Sequence, residues 1–329
     1  MKLADFSYYL PKELIAQYPL KQRDRARLLV IKRQENKIEH LTFKDITDYL
    51  EKGDLLVLND TKVLPSRLQG RRLTGGKVEV LLMEKKEGST FNVLIKPSRL
   101  KIQEEINFDG KDITGKITAK NEITFDTGDL DSIYRLGMMP LPPYIKRQPE
   151  EQDFTDYQTV YARKEGAIAS PTAGLHFTRE LLDKIASSGI GIAYITLHIS
   201  YSTFRPVKTE DVTKHHMDKE YFSIGEDAVR MIEDTQRRGK RIIAVGTTSC
   251  RALETYALGR KGGFTDLFIY PGYKFKIVKC LLTNFHLPKT TLFMLTCAFA
   301  TSGLIRKAYR EAIENKYRFY SYGDAMLII

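Results

Sequence analysis

The chain has 329 residues, 42% of them hydrophobic and 28% charged, a balance that excludes a disordered protein and fits a globular one of two domains. Its formal net charge of +11 favours a polyanionic partner such as nucleic acid. Cys250, Cys280 and Cys297 are an odd number without paired spacing, so neither a disulfide framework nor a zinc site is indicated and reduced cytoplasmic thiols are the simple reading.

In chain order, Met1–Phe6 carries no secretory pattern, and Leu55–Asn59 is a strand candidate. From about Val63 to Tyr134 the pattern is short strands and tight turns. Lys77–Met83, Phe91–Ile95 and Ile106–Phe108 alternate with turns at Gly88 and Asp109-Gly110, which suggests a small barrel or sandwich. After Pro143 helices and strands alternate. A helix over 179–188, capped by Thr178 and stopped at Gly189, leads to a strand over 190–198; a helix over 226–238 leads to a strand over 241–246 and a helix over roughly 249–258. Thr290 to Ile305 reads as one buried helix, short of the roughly 20 residues a membrane span needs. The fold class expected is α/β: a main domain with parallel strand pairing (1–62 and 150–329) and an inserted small β-barrel-like domain (63–149).

Ser170-Pro171-Thr172-Ala173-Gly174-Leu175-His176-Phe177-Thr178 is the most distinctive segment, a loop feeding a helix start. Leu55–Thr61, Met139–Ile145, Tyr157–Ala162, Ala244–Ser249, Thr283–Pro288 and Tyr320–Ile328 follow the same collinear order as segments of a known family. Together they resemble the S-adenosylmethionine:tRNA ribosyltransferase-isomerases of queuosine biosynthesis. Departures from that pattern are Ser200 and Ser202 where glycines are usual, Asp218 for a histidine, Met138 for an arginine and Lys279 for an aspartate.

The resemblance implies transfer and isomerisation of the ribosyl group of S-adenosylmethionine onto 7-aminomethyl-7-deazaguanine at the tRNA wobble position, with adenine and methionine released. S-adenosylmethionine is then a substrate, no metal is called for, and the partner is tRNA, with a cytoplasmic monomer expected. A sulfonium acidifies the adjacent C5′ hydrogens, so the site needs a base, an acid for adenine and groups that favour a cation. The candidates are His176, His198, His215, His286, Glu220 and Asp324, with Tyr320 and Tyr322 beside them. Cofactor contacts are expected from Pro171, Thr172, Ala173, Gly174, Gly246, Thr247, Thr248, Ser249 and Tyr322, because loop N–H groups at a helix start suit a carboxylate or phosphate. RNA contacts are expected from Arg71, Arg72, Arg237, Arg238, Tyr273, Lys274, Phe275 and Lys276, where lysines would meet phosphates and rings would stack on unpaired bases. His40 is expected to be merely exposed. Two other readings stand beside this one: an RNA methyltransferase using the same cofactor, which lacks a glycine-rich fingerprint here, and a non-catalytic RNA-binding protein.

Overall fold

The computed structural model describes residues 1–108, 112–201 and 207–329. The Asp109-Gly110 turn and the Ser202 departure lie outside the described residues. The chain builds a nine-stranded mixed sheet and a closed antiparallel barrel.

The large sheet is organised by Leu55–Asn59, whose five residues are all buried. Leu55 and Val57 face one apolar core while Leu56 and Leu58 face another. A strand buried on both faces must be apolar throughout, and parallel neighbours with helices on either side are the usual way to achieve this. Gly191–Leu197 and Ile242–Val245 pair with it in parallel, and Cys280–Asn284 adds in parallel beyond Ile242–Val245. Ala325–Ile328 then runs antiparallel to Cys280–Asn284 and parallel to Arg27–Lys32, which is closed off by Lys37–Thr42. On the other side Glu220–Ser223 and Gly262–Thr265 extend the sheet antiparallel. These antiparallel strands, and the pair near the N-terminus, were not among the expected elements; short, half-polar strands give weak periodicity.

The barrel closes through Arg67–Arg72, Lys77–Lys85, Thr90–Lys96, Glu122–Phe125, Thr114–Ala119 and Glu105–Phe108, the last returning to the first. Its own core includes Leu68, Val80, Phe91, Ile106 and Ile123. Between barrel and sheet a fourth apolar cluster gathers Met139, Leu141, Tyr144, Tyr157, Leu175, Tyr320 and Tyr322.

The expected helix over 179–188 is present as Arg179–Ser187, with the Thr178 hydroxyl accepting from the Leu181 N–H at 3.1 Å and Gly189 at φ +81° after its end. Two expectations need correction. The helix placed over 249–258 begins earlier, at Gly246, and ends at Tyr256. Gly246 adopts φ +87°, which turns the chain from strand into helix with no connecting loop. The apolar run from Thr290 to Ile305 is two helices, Thr291–Ala300 and Ser302–Glu314, broken at Thr301. Thr301 sits at φ +71°, and its hydroxyl accepts the Leu304 N–H of the second helix. No helix among the described residues is long and apolar enough to cross a membrane.

Candidate active site

The carboxyl ends of the parallel strands supply the site, as open α/β sheets generally do. Asn59 ends the central strand. Its Oδ1 accepts the N–H groups of Thr61 (3.2 Å) and Leu197 (3.0 Å), and its amide donates to the Leu197 carbonyl (2.9 Å) and Thr248 Oγ1 (3.3 Å). One buried side chain thus ties two strand ends to the first turn of the helix at Gly246. That helix start leaves N–H groups without intrahelical partners and carries partial positive charge.

Facing it, Pro171 leads into a tight helical turn over Thr172–His176. Gly174 is required there: a Cβ would lie 1.9 Å from Tyr161 Oη. Between the two loops lies a small cavity lined by Ser170–Ala173, Gly246–Thr248, Thr283–His286, Tyr144, Tyr320 and Ser321, among others. The Ser170 hydroxyl is buried here with no partner among the described residues. An orphaned buried hydroxyl in a cavity is an unmet hydrogen bond that a ligand can supply. Tyr320 holds φ +72°, a conformation disfavoured for an aromatic residue, and its ring packs edge-to-face on Tyr144. The cavity therefore has a donor-rich end with partial positive charge at Gly246–Thr248 and an aromatic end at Tyr144 and Tyr320. A ligand with an anionic group at one end and a cationic centre at the other matches that polarity.

The four candidate histidines are not brought together. His286 lines the cavity, its Nε2 2.9 Å from Thr283 Oγ1, and burial pushes its pKa down to about 3. His176 stands behind the wall, in a smaller neighbouring cavity with Arg23 and Tyr322. The Asn284 amide approaches its Nε2 at 3.2 Å, and burial lowers its pKa to about 4. The ring is therefore neutral and accepts at Nε2. Asn284 also accepts from Thr172 Oγ1 (3.1 Å) and donates to the Asp324 carbonyl (3.4 Å), so His176 acts through Asn284 on the loop that lines the cavity. His198 faces a wider cleft between sheet and barrel, its Nδ1 2.7 Å from Thr61 Oγ1 and its pKa lowered by burial. His215 packs edge-on against Phe268, half-buried, also with its pKa lowered by burial. His40, expected to be merely exposed, is on the surface but contacts Tyr317 Oη at 2.8 Å and Glu311 at 3.5 Å.

The two candidate carboxylates are engaged. Asp324 accepts the N–H of Arg27 (2.9 Å) on one oxygen and that of Arg318 (2.8 Å) on the other, while burial raises its pKa. Glu220 is ion-paired with the buried Arg251 and accepts the Ser200 N–H at 2.9 Å. Tyr322 donates to Asp153 at 3.0 Å in the smaller cavity. Among the described residues no group of three or more His, Cys, Asp or Glu is arranged to hold a metal.

The expected RNA contacts scatter. Arg72 pairs with Glu104, and Arg237 and Arg238 share Asp234 at 3.2 and 3.7 Å. Arg71 lies on the same barrel strand as Arg72. In the loop before Cys280–Asn284, Tyr273 donates to Glu254 at 3.1 Å and Phe275 packs edge-on against Phe299, so both rings turn into the body. Lys274 and Lys276 are exposed. That loop and Arg237-Arg238 precede strands whose far ends form the cavity, which puts them at the opposite edge of the sheet. Ser200 and Asp218, two of the departures, line the wider cleft; Met138 pairs with Arg67 at the barrel edge, and the Lys279 carbonyl accepts from Arg33 at 2.7 Å.

Asn59, Tyr144, Ser170, Asn284 and Ser321 were not singled out from the sequence as site residues. All lie inside the distinctive segments, but Asn, Ser and Tyr carry no spacing rule of their own, and only the fold shows which side chains converge.

A family described as "Queuosine biosynthesis protein" matches residues 3–328. A relative named S-adenosylmethionine:tRNA ribosyltransferase-isomerase from Sulfurihydrogenibium sp. is 52% identical over 100% of both chains, and one of the same name from Halothermothrix orenii is 50% identical, again over 100% of both. The crystal structure of S-adenosylmethionine tRNA ribosyltransferase from Thermotoga maritima is similar with a TM-score of 0.58 at 37% identity, covering 99% of this chain and 100% of that one. With a cavity of matching polarity at the expected strand ends, the chain belongs to the queuosine-biosynthesis family of transferase-isomerase enzymes.

Proposed function

We propose that the protein transfers and isomerises the ribosyl moiety of S-adenosylmethionine onto 7-aminomethyl-7-deazaguanine at the wobble position of tRNA, releasing adenine and methionine, in the cytoplasm. The observation that carries this reading is the two-ended cavity between Pro171–His176 and Gly246–Thr248. The methionine carboxylate is assigned to the N–H groups at the helix start, and the Ser170 hydroxyl to a polar atom of the same substrate. The sulfonium is assigned to the Tyr144 and Tyr320 faces.

His286 is the candidate histidine in the cavity wall and is assigned to the C5′ proton by position, although the low pKa that burial gives it makes it a weak base for that step. Removing a C5′ proton gives a sulfonium ylide. Its electron pair drives opening of the ribose ring and departure of adenine, which takes up a proton at nitrogen. That opening leaves a C4′=C5′ vinyl sulfonium and a C1′ aldehyde. The tRNA amine adds at C4′ and loses a proton, and the regenerated C5′ carbanion closes the five-carbon ring on C1′. The C1′ oxyanion then displaces methionine from C5′ as a neutral thioether, forming the epoxide. Neither His176 nor Asp324 enters these steps; both hold the loops. The test is product analysis with S-adenosylmethionine and precursor-bearing tRNA. Free adenine and methionine in equal amounts support the reading, whereas S-adenosylhomocysteine would assign methyl transfer, and tRNA binding with no turnover would assign a binding protein.

A further inference from the structure

Three rings stand in one row across adjacent strands at the antiparallel end of the large sheet. Tyr221 and Phe264 are register partners on Glu220–Ser223 and Gly262–Thr265. His198 follows Gly191–Leu197, and its N–H donates to the Tyr221 carbonyl at 2.9 Å. The His198 and Tyr221 rings are stacked, 5.6 Å between centroids with 20° between planes, and Tyr221 meets Phe264 edge-on at 5.9 Å. Gly166 closes the inner end: a Cβ there would lie 2.8–2.9 Å from three atoms of the His198 ring, so the imidazole lies flat on bare backbone. The alternate residue, Phe222, is wholly buried in the core on the other face.

The outward face is not a core. Tyr221 is 43% exposed and Phe264 56% exposed, among the few large apolar side chains left open to solvent. Adjacent exposed rings keep apolar area in water, which a protein retains where a partner covers it. Both line the cleft between sheet and barrel, whose lining also holds Lys85 and Lys120 from the barrel and Lys219 from the sheet side, along with Glu84, Asp218 and Glu220. Ile199 lines this cleft and the substrate cavity alike, so the two are neighbours with Ile199 between them. A polyanion whose unpaired bases splay against the rings while lysines meet its phosphates fits this surface.

We propose that His198, Tyr221 and Phe264 form a stacking platform for unpaired bases of the tRNA anticodon loop, holding the loop so that its target base enters the cavity beside Ile199. This rests on the reading of the protein as a tRNA-modifying enzyme. Tyr221 and Phe264 are the outer, base-contacting layers, and His198 is a positioning residue that sets the tilt of Tyr221.

The test uses the full protein and an anticodon stem-loop carrying 2-aminopurine beside the target position, alongside full-length tRNA. Tyr221→Ala and Phe264→Ala are each expected to weaken binding about 5- to 100-fold, the range for loss of one base–aromatic stack. Tyr221→Phe restores binding, and Tyr221→Leu, which keeps apolar bulk without a ring, does not. The salt slope of binding stays at the wild-type value because no phosphate contact is lost, and S-adenosylmethionine affinity is unchanged. The 2-aminopurine fluorescence is quenched by wild type and not by the alanine variants. Wild-type tRNA affinity in the Ala or Leu variants would overturn the proposal; should those variants instead dissociate a dimer, the face belongs to a second copy and the proposal also fails. If wild type releases adenine while the variants bind normally, only the platform falls. If wild type neither binds tRNA nor releases adenine, the functional reading itself falls.

Discussion

His176 and His286 make the fold acid-sensitive in a way that can be worked out beforehand. Both rings are nearly inaccessible, at 5% and 6% exposure, and burial lowers their pKa values from an ordinary 6.5 to about 4 and about 3. A group with a depressed pKa in the folded chain binds fewer protons there than when unfolded. Its contribution is therefore complete above about pH 6.5 and is lost as pH falls towards the folded value. Between about pH 7.5 and about pH 5 the unfolded imidazole becomes protonated while the buried one stays neutral, which costs about 2 kcal/mol for each histidine. His176→Gln removes the titration while leaving a side-chain oxygen to accept from Asn284. Urea denaturation of wild type and variant at the two pH values isolates the effect, since every other group cancels in the difference. The variant should lose about 2 kcal/mol less than wild type over this range, and His176→Gln with His286→Gln about 4 kcal/mol less. Parallel pH dependences for wild type and variants would refute the assignment of these rings as buried and neutral.

Ser170→Ala should leave the unfolding midpoint nearly unchanged, because the hydroxyl has no protein partner to lose, yet weaken S-adenosylmethionine binding about 2- to 13-fold by calorimetry. Equal affinity would remove Ser170 from the substrate contacts. Gly174→Ala drives a methyl into Tyr161 Oη and should destabilise by about 1–3 kcal/mol, with partial recovery in Gly174→Ala/Tyr161→Phe, measured by thermal unfolding. No recovery would place the conflict elsewhere. Glu220→Ala strands the buried Arg251 charge and should cost about 3–5 kcal/mol, while Glu220→Leu/Arg251→Met recovers most of it. A Glu220→Ala variant that unfolds like wild type but fails to turn over would make Glu220 a substrate contact instead.

Much of the architecture was legible because its elements repeat strong local signals. Thr178 and Gly189 bracket a helix by capping chemistry, and Leu55–Asn59 is apolar at every position because both its faces are covered. The Gly246 helix start was placed three residues late because only the positive φ of the glycine shows that no loop intervenes. Thr301 was missed as a break because threonine rarely adopts φ +71°. For the site, Gly246–Thr248 and the Pro171–Gly174 loop were visible as candidates in the sequence, and the structure lines one cavity with residues of both. The histidines were not separable in that way. His176 and His286 sit in equally distinctive segments, and only packing puts one behind the wall and the other in it. The Tyr221–Phe264 row escaped notice because its partners are over 40 residues apart and meet only through antiparallel pairing.

The most direct measurement supplies S-adenosylmethionine labelled with carbon-13 throughout its ribose, together with precursor-bearing tRNA, and weighs the nucleoside recovered from the wobble position. Transfer of the ribosyl skeleton predicts a product carrying all five labelled carbons, with unlabelled adenine and methionine appearing in step with it. A product heavier by a single unlabelled methyl group, with the labelled ribose retained in S-adenosylhomocysteine, would contradict the account.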